Sequence, residues 1–473
     1  MPNRSLDRLR ELFAIDIRSL AVVRMGLATM IVVDLLDRGR HIAEFYTDAG
    51  IAPRSLIDKI DPVALSYHML GSSYGFEAAL FAAAGVFAVM LFVGYRTRVA
   101  SVVSWLLLAS LQNRNHLVNL GGDAELERVL FWCLFLPLGA CWSLDARREG
   151  RREPPGTAVC SVASAAVLLQ VAFMYLFSGL AKSGPAWTSD FDAIYLALHN
   201  DFMVTEWGTW FRQFEGLLGG MTPVVLTFEL IAIFFFFSPF ATGPLRCLMI
   251  LAVWSFHFGL ASMIRLSTFP FVSAVCVLVY LPRWFWDRLD ARRGVPVEPG
   301  VRVIETPSKL LQAGIAAGLL YTAVLLTSQV TARFDMPAPL FQMGHALQFN
   351  HDWGLYAPEP TPYSMRRQVV AGLADRTGVA NLLAEDGGEN WRDVQAIHDS
   401  ERFRTYLKNW VTPRFHDDVS VYGQWLCEQW NADAQGPRAV RWVRWLVFSE
   451  EILPGGKRGP EVREELFTHI CEA

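Results

Sequence analysis

The chain is 473 residues long, 52% hydrophobic and 19% charged, with 16 tryptophans, 32 phenylalanines and a formal net charge of -4. A charged fraction below the roughly 25% of ordinary soluble domains argues against a wholly soluble protein. The acidic balance, with no long basic run, excludes nucleic acid as a partner.

Charge is spread unevenly. Long stretches before residue 331 carry almost none, whereas residues 332–473 have the composition of a soluble domain. We therefore expect an all-α polytopic membrane bundle over residues 1–331, surrounded by the lipid bilayer, and a small α+β domain over 332–473. Residues 1–18 are polar, and the apolar run after them lacks a small-residue cleavage site, so it is expected to be an uncleaved first span.

A bilayer core needs about 20 mostly apolar residues per helix. Nine segments are candidates: 19–36, 75–94, 99–113, 129–143, 159–180, 222–238, 245–264, 266–282 and 309–330. The third, fourth and eighth are short, so eight spans with a re-entrant piece is the alternative. With the N-terminus in the cytoplasm, seventeen Lys and Arg fall on inner segments and nine on outer ones, the bias expected of cytoplasmic loops. Nine spans in an inner (cytoplasmic) membrane put residues 332–473 outside the cytoplasm; an even count would put them inside.

Polar groups at membrane depth are costly and often functional. Arg24 and Asp34 share the first span but are ten residues apart, about 15 Å along a helix, so they cannot pair with each other. Arg24 reads either as a structural partner of another helix or as a group that binds an anionic or quinone-like ligand. The stretch after the third segment gathers Asn113, Arg114, Asn115, His116, Asn119 and Asp123, with Gly121 and Gly122 permitting a tight turn. It is either a plain polar loop or one wall of a catalytic pocket.

Lys182 ends the fifth apolar run, with Tyr175 and Phe177 before it and Trp187 after. A terminal lysine beside aromatics commonly snorkels to headgroups; as a base it would need a dry pocket or a cationic neighbour. Glu229 is the only carboxylate in its run and His257 sits near the middle of the next. We expect Glu229 to face the bundle interior and pair with Arg24 or His257.

In the tail, residues 333–362 hold five prolines and read as extended strand and turn rather than a long helix. Gln368–Leu373 and Ala439–Phe448 read as strands, and 395–431 as helical, with Tyr406, Trp410, Tyr422, Leu426 and Trp430 on a buried face. Of seven cysteines, five lie in or beside apolar segments, and no spacing suggests a metal site or a disulfide framework. A Cys427–Cys471 bridge is compatible with an oxidising compartment.

Seven stretches, in order, carry a resemblance: SLAVVRMGLATMIVVDLLDRG (19–39), FYTDAGIAPRSLID (45–58), LFVGYRTRVASVVSWLL (91–107), NRNHLVNLGGD (113–123), LFLPLGACWSLD (134–145), FSGLAKSGPAW (177–187) and FHFGLASMIRLSTFPFVSAV (256–275). Over about 18–285 the chain resembles the vitamin K-dependent gamma-carboxylases and their bacterial relatives, the horizontally transferred transmembrane (HTTM) domain proteins. WGLYAPEPTP is similar to a segment that follows the last span in many bacterial relatives.

The resemblance implies a lyase-type chemistry with reduced vitamin K or another quinol, O2 and CO2, and no metal. In those enzymes a lysine deprotonates the quinol, oxygen adds, and the strong base so formed lets a glutamyl carbanion attack CO2. By motif, Lys182 takes the lysine's place and His116 that of a histidine assisting the oxygenated intermediate. Asn115, Arg24, Trp187, His257 and Asp123 are the candidate substrate or quinone-binding groups. The animal enzymes have a Lys-Lys pair where this chain has Ala181-Lys182, and the tail lacks a counterpart of their propeptide-binding region. The competing expectation is a non-enzymatic membrane partner for maturation or export of a small secreted peptide; transport is a third, without an inverted repeat to support it.

Overall fold

The structure, a computed structural model, describes residues 10–150, 157–294, 302–303, 308–331, 334–350, 353–374, 379–382, 400–410, 420–433 and 436–471. Among these, six helices are long and apolar enough to cross a membrane: α1 (Ile17–Gly39), α3 (Tyr74–Val93), α6 (Val162–Ala181), α8 (Glu215–Phe236), α9 (Thr242–Met263) and α12 (Lys309–Val330). A seventh crossing is available if α10 (Phe269–Cys276, extended by a 3-10 turn to Tyr280) and α11 (Arg283–Arg292) count as one; they meet at a 79° bend. Pro282 stands at that bend and supplies no backbone donor to continue the first helix.

The ends of these helices are chemically marked. Asp16 caps α1 by accepting from the Arg18 amide, Ser73 caps α3, Ser161 and Ser164 form a reciprocal box at the start of α6, and Ser308 caps α12. Gly94 ends α3 in the left-handed region at φ 68°. Exposed apolar side chains such as Leu36, Val86, Phe234, Leu248, Phe258 and Leu320 lie on the long helices, as faces turned to lipid require.

Three of the nine expected spans are not among these six. The eighth, expected over 266–282, is the bent α10–α11 pair, and the third is α4 (Thr97–Arg114), 18 residues long. The fourth, expected over 129–143, is instead α5 (Gly121–Cys133), 13 residues and about 20 Å, short of a bilayer core of about 30 Å. Its start was hidden by Asp123, Glu125, Glu127 and Arg128, which read as loop residues but are all buried in protein. Its end falls where Pro137 and Gly139 enter a turn.

A small sheet fixes helix direction. β1 (Ala14–Asp16) pairs antiparallel with β2 (Thr157–Cys160), which pairs parallel with β3 (Arg302–Val303). β1 leads directly into α1, β2 into α6, and β3 precedes α12. The starts of these three helices are thus gathered at one end of the bundle.

The tail packs at the other end. Helix α13 (Ala338–Ala346) follows α12, an addition to the extended reading of 333–362, with Pro337 at its N-cap. A four-stranded sheet of order β5-β4-β6-β7 follows: β4 (Tyr363–Leu373), β5 (Val379–Asn381), β6 (Val440–Glu451) and β7 (Val462–Ile470), every pair antiparallel. The two expected strands are there, each longer than its apolar alternation alone suggested. Helices α14 (Glu401–Trp410) and α15 (Ser420–Asp433) bury Tyr406, Trp410, Tyr422, Leu426 and Trp430 as anticipated. Cys427 and Cys471 are disulfide-bonded, with Cα atoms 5.6 Å apart; the bridge ties α15 to the chain just after β7.

Candidate functional site

Lys182 stands at the C-cap of α6. It does not reach for headgroups: the residue is 5% exposed, and Nζ donates to Glu229 Oε2 at 2.7 Å and to Ser178 Oγ at 2.6 Å. Ser178 also donates to Glu229 Oε1 at 3.2 Å, so one hydroxyl bridges both ends of the pair. The motif FSGLAK explains the geometry. Ser178 and Lys182 are four residues apart and share a helix face, and Gly179 brings α6 against α8. A Cβ there would stand 2.9 Å from Leu230 and 3.2 Å from the Glu229 Cβ.

Glu229 therefore pairs with Lys182, not with Arg24 or His257 as expected, because the close α6–α8 contact places it there. His257 meets Tyr175 instead, its Nε2 lying 3.0 Å from the phenolic oxygen. Arg24 donates to the carbonyls of Trp142 at 2.6 Å and Leu138 at 3.4 Å. It lies under Gly94, where a Cβ would be 2.1 Å from its Nη1. These backbone contacts hold the turn after α5, which gives Arg24 a structural role.

The Trp187 ring lies over Lys182, with Nζ 5.3 Å from its centroid. Its own Nε1 donates to the Tyr356 carbonyl at 2.9 Å, and the Gly184 amide donates to the Pro358 carbonyl at 3.0 Å. The tail segment WGLYAPEP thus seats on the loop that follows Lys182. Sequence reasoning singled out both motifs but not their contact.

The polar stretch 113–123 is buried rather than a plain loop. Arg114 donates to the carbonyls of Ala52 and Tyr46, each at 2.8 Å, and Asn115 Nδ2 donates to Phe45 O at 2.9 Å. Asn115 Oδ1 is buried with no hydrogen-bond partner among the described residues. His116, 19% exposed at its side chain, turns Nδ1 toward Asp61 Oδ2 at 3.6 Å. Asp61 follows the helix α2 (Arg54–Ile60).

Asp123 sits in a buried charge network. Arg38 donates to Asp123 at 2.6 Å and to Asp34 at 3.0 Å, and Arg402 of α14 bonds Asp123 at 2.8 Å, Asp37 at 2.7 Å and Asp34. Asp34, the carboxylate without a partner in the sequence reading, is thus held by one arginine a turn away and another from the tail. Asp61, His345 and Arg402 escaped the sequence reading; nothing local marks them, whereas the four-residue spacing of Ser178 and Lys182 was there to be read.

A helical bundle of six long apolar spans, with apolar side chains exposed along them and its charges paired inside, defines a polytopic integral membrane protein. The model of the HTTM domain family matches residues 13–284, so the chain belongs to that family, which is related to the vitamin K-dependent gamma-carboxylases. The matched stretch coincides with the one over which the motifs were collinear. No curated protein and no solved structure matches the chain.

Proposed function

We propose that the chain is a membrane enzyme of the quinol-oxygenating, carboxylating kind, acting on a glutamyl side chain or a similar substrate. The observation that carries this reading is the burial of Lys182 beneath the Trp187 ring, with Glu229 at 2.7 Å to take up its proton. Two buried polar atoms near the motif residues suit a ligand with hydroxyl or carbonyl groups: Asn115 Oδ1 and His257 Nδ1 lack hydrogen-bond partners among the described residues. A bound quinol supplies, through oxidation by O2, a base stronger than any side chain.

The chain's own residues do the rest. Proton transfer from Lys182 Nζ to Glu229 Oε2 across 2.7 Å turns the ion pair into a neutral amine and a carboxylic acid. The amine then accepts a proton from a quinol hydroxyl, and Ser178 stays bonded to both partners throughout. Trp187 covers the amine, and the tail segment that holds Trp187 limits water at that end. His116 is the second candidate catalytic group, with Asn115 beside it.

We place the N-terminus in the cytoplasm and the tail outside it. Seven crossings, the six long helices and the bent α10–α11 pair, put the residues before α1 and the tail on opposite sides, and the Lys/Arg bias supplies the direction. The Cys427–Cys471 bridge supports an oxidising compartment for the tail.

The test is incubation of the purified protein with vitamin K hydroquinone, labelled bicarbonate and a Glu-rich peptide. Incorporation of label that vanishes in Lys182→Ala is the expected result. Epoxide without incorporation would remove the carboxylase half, and neither product would remove the enzyme reading altogether.

A further inference from the structure

Asp61 is buried, and one of its carboxylate oxygens faces two imidazoles. His345, on the tail helix α13, lies with Nε2 2.8 Å from Asp61 Oδ2, the oxygen that faces His116 Nδ1 at 3.6 Å. Asn350 Nδ2 lies 2.8 Å from His345 Nδ1, so the ring is held between Asn350 on one nitrogen and Asp61 on the other. The two rings stand 6.4 Å apart at 74°.

The tail is anchored around this arrangement. Asn113 Nδ2 donates to the Ala346 carbonyl at 3.3 Å, Gln348 Nε2 donates to Asn113 Oδ1, and Arg128 Nε donates to the Gln348 carbonyl at 3.1 Å. From the other side, Asn409 of α14 donates to the Leu117 carbonyl at 2.8 Å and Arg402 to that of Val118 at 3.1 Å. The short turn His116–Val118 is therefore clamped between two tail segments.

We propose that Asp61 and His345 are positioning residues for His116, and that the tail thereby completes the site. The proposal rests on the enzymatic reading above for its chemistry, but its geometry can be tested without it. Asp61 Oδ2 faces Nδ1 at 3.6 Å, an electrostatic approach rather than a hydrogen bond, which leaves Nε2 as the nitrogen turned away from the carboxylate. A carboxylate placed behind an imidazole orients the ring and balances a proton taken up on its far side. His345 holds that carboxylate in place, so loss of His345 acts on His116 at one remove.

The experiment uses the full-length protein in detergent and follows carbethoxylation of His116 by diethyl pyrocarbonate, read by peptide mass spectrometry. Asp61→Asn and His345→Ala are expected to speed labelling of His116 by about threefold or more, since each loosens a second-neighbour constraint on the ring. His345→Gln keeps a donor for Asp61 and is expected to label within about twofold of wild type. In the quinol assay, Asp61→Asn is expected to lower kcat about tenfold with little change in KM. Unchanged labelling of His116 in both Asp61→Asn and His345→Ala overturns the proposal, as does a kcat unaffected by either. Labelling that responds in a protein whose wild type never turns over quinol keeps the arrangement and removes the assigned reaction.

Discussion

Two buried charge clusters in this protein satisfy themselves in different ways. The Lys182–Glu229 pair is one cation against one anion, made by two neighbouring spans and bridged by a serine of the same motif. The Asp34–Asp123 cluster needs two arginines, and only Arg38 comes from the bundle; the other, Arg402, is 368 residues from Asp34. The first is local and complete within the family's matched region. The second leaves the bundle with an uncompensated buried carboxylate unless the tail is docked. The tail is therefore part of how this bundle balances its charge, while the lysine site is already balanced without it.

The largest expected effect breaks the second cluster. Arg402→Ala leaves Asp34 and Asp123 facing Arg38 alone, and loss of one partner from such a buried network costs about 3–5 kcal/mol. Thermal unfolding in detergent should show a drop large enough to deplete the folded, monodisperse protein. Lys182→Met should be comparably costly by itself, because it strands Glu229. Here the contrast sharpens: adding Glu229→Leu removes the stranded charge and should restore stability to within about 1–2 kcal/mol of wild type. By the same count, adding Asp34→Asn to Arg402→Ala leaves Asp123 against Arg38 and should recover part of the loss, without replacing the contacts that dock the tail.

Removal of the Cys427–Cys471 bridge, by Cys427→Ser with Cys471→Ser, should cost about 2–4 kcal/mol, confined to the tail. Limited proteolysis would then cut within 400–471 before any site in the long helices. Gly179→Ala should cost about 1–3 kcal/mol through overpacking, because the new methyl meets Leu230 and the Glu229 stem. It should also loosen the Lys182–Glu229 pair, visible as faster amine labelling of Lys182.

The smallest effect concerns pH. Burial alone would raise the Asp61 carboxyl, but the His345 hydrogen bond and the charges of His345 and His116 outweigh it and hold the group below its ordinary value. A carboxyl lowered in the native state contributes stability that is present above its unfolded pKa, about 3.9, and is lost as pH falls through the lower native value. The Tm difference between wild type and Asp61→Asn should therefore be present near pH 6 and shrink below about pH 4. A difference that grows on acidification would contradict the arrangement.

What could be read from the sequence was whatever is carried by short spacing or long apolar runs. The six long helices follow from the length of their apolar runs, and the strands around Gln368–Leu373 and Ala439–Phe448 and the buried aromatic face of α14 and α15 from alternation and helical spacing; residues 395–399 and 411–419 of the expected helical stretch lie outside the described residues. Lys182 and His116 stood out as polar groups at the ends of apolar segments. Partners from distant segments were not legible: Glu229 for Lys182, Arg402 for Asp34, and Asp61 with His345 for His116. Each joins elements whose adjacency is set by packing, and no spacing rule encodes that. Helix α5 was misplaced for a related reason. Its charged residues look like loop residues until the neighbours that bury them are known, as with Glu127, which accepts a hydrogen bond from Trp105.

The burial of Lys182 is the most direct point of attack. Reaction of the intact protein with a membrane-impermeant amine reagent, read residue by residue by mass spectrometry, compares Lys182 with the exposed Lys59 and Lys309. The account predicts that Lys182 stays unlabelled while Lys59 reacts, and that Glu229→Ala exposes Lys182 to the reagent. Labelling of wild-type Lys182 at the rate of Lys59 would contradict it, returning the lysine to the headgroups and leaving the proposed base without a site.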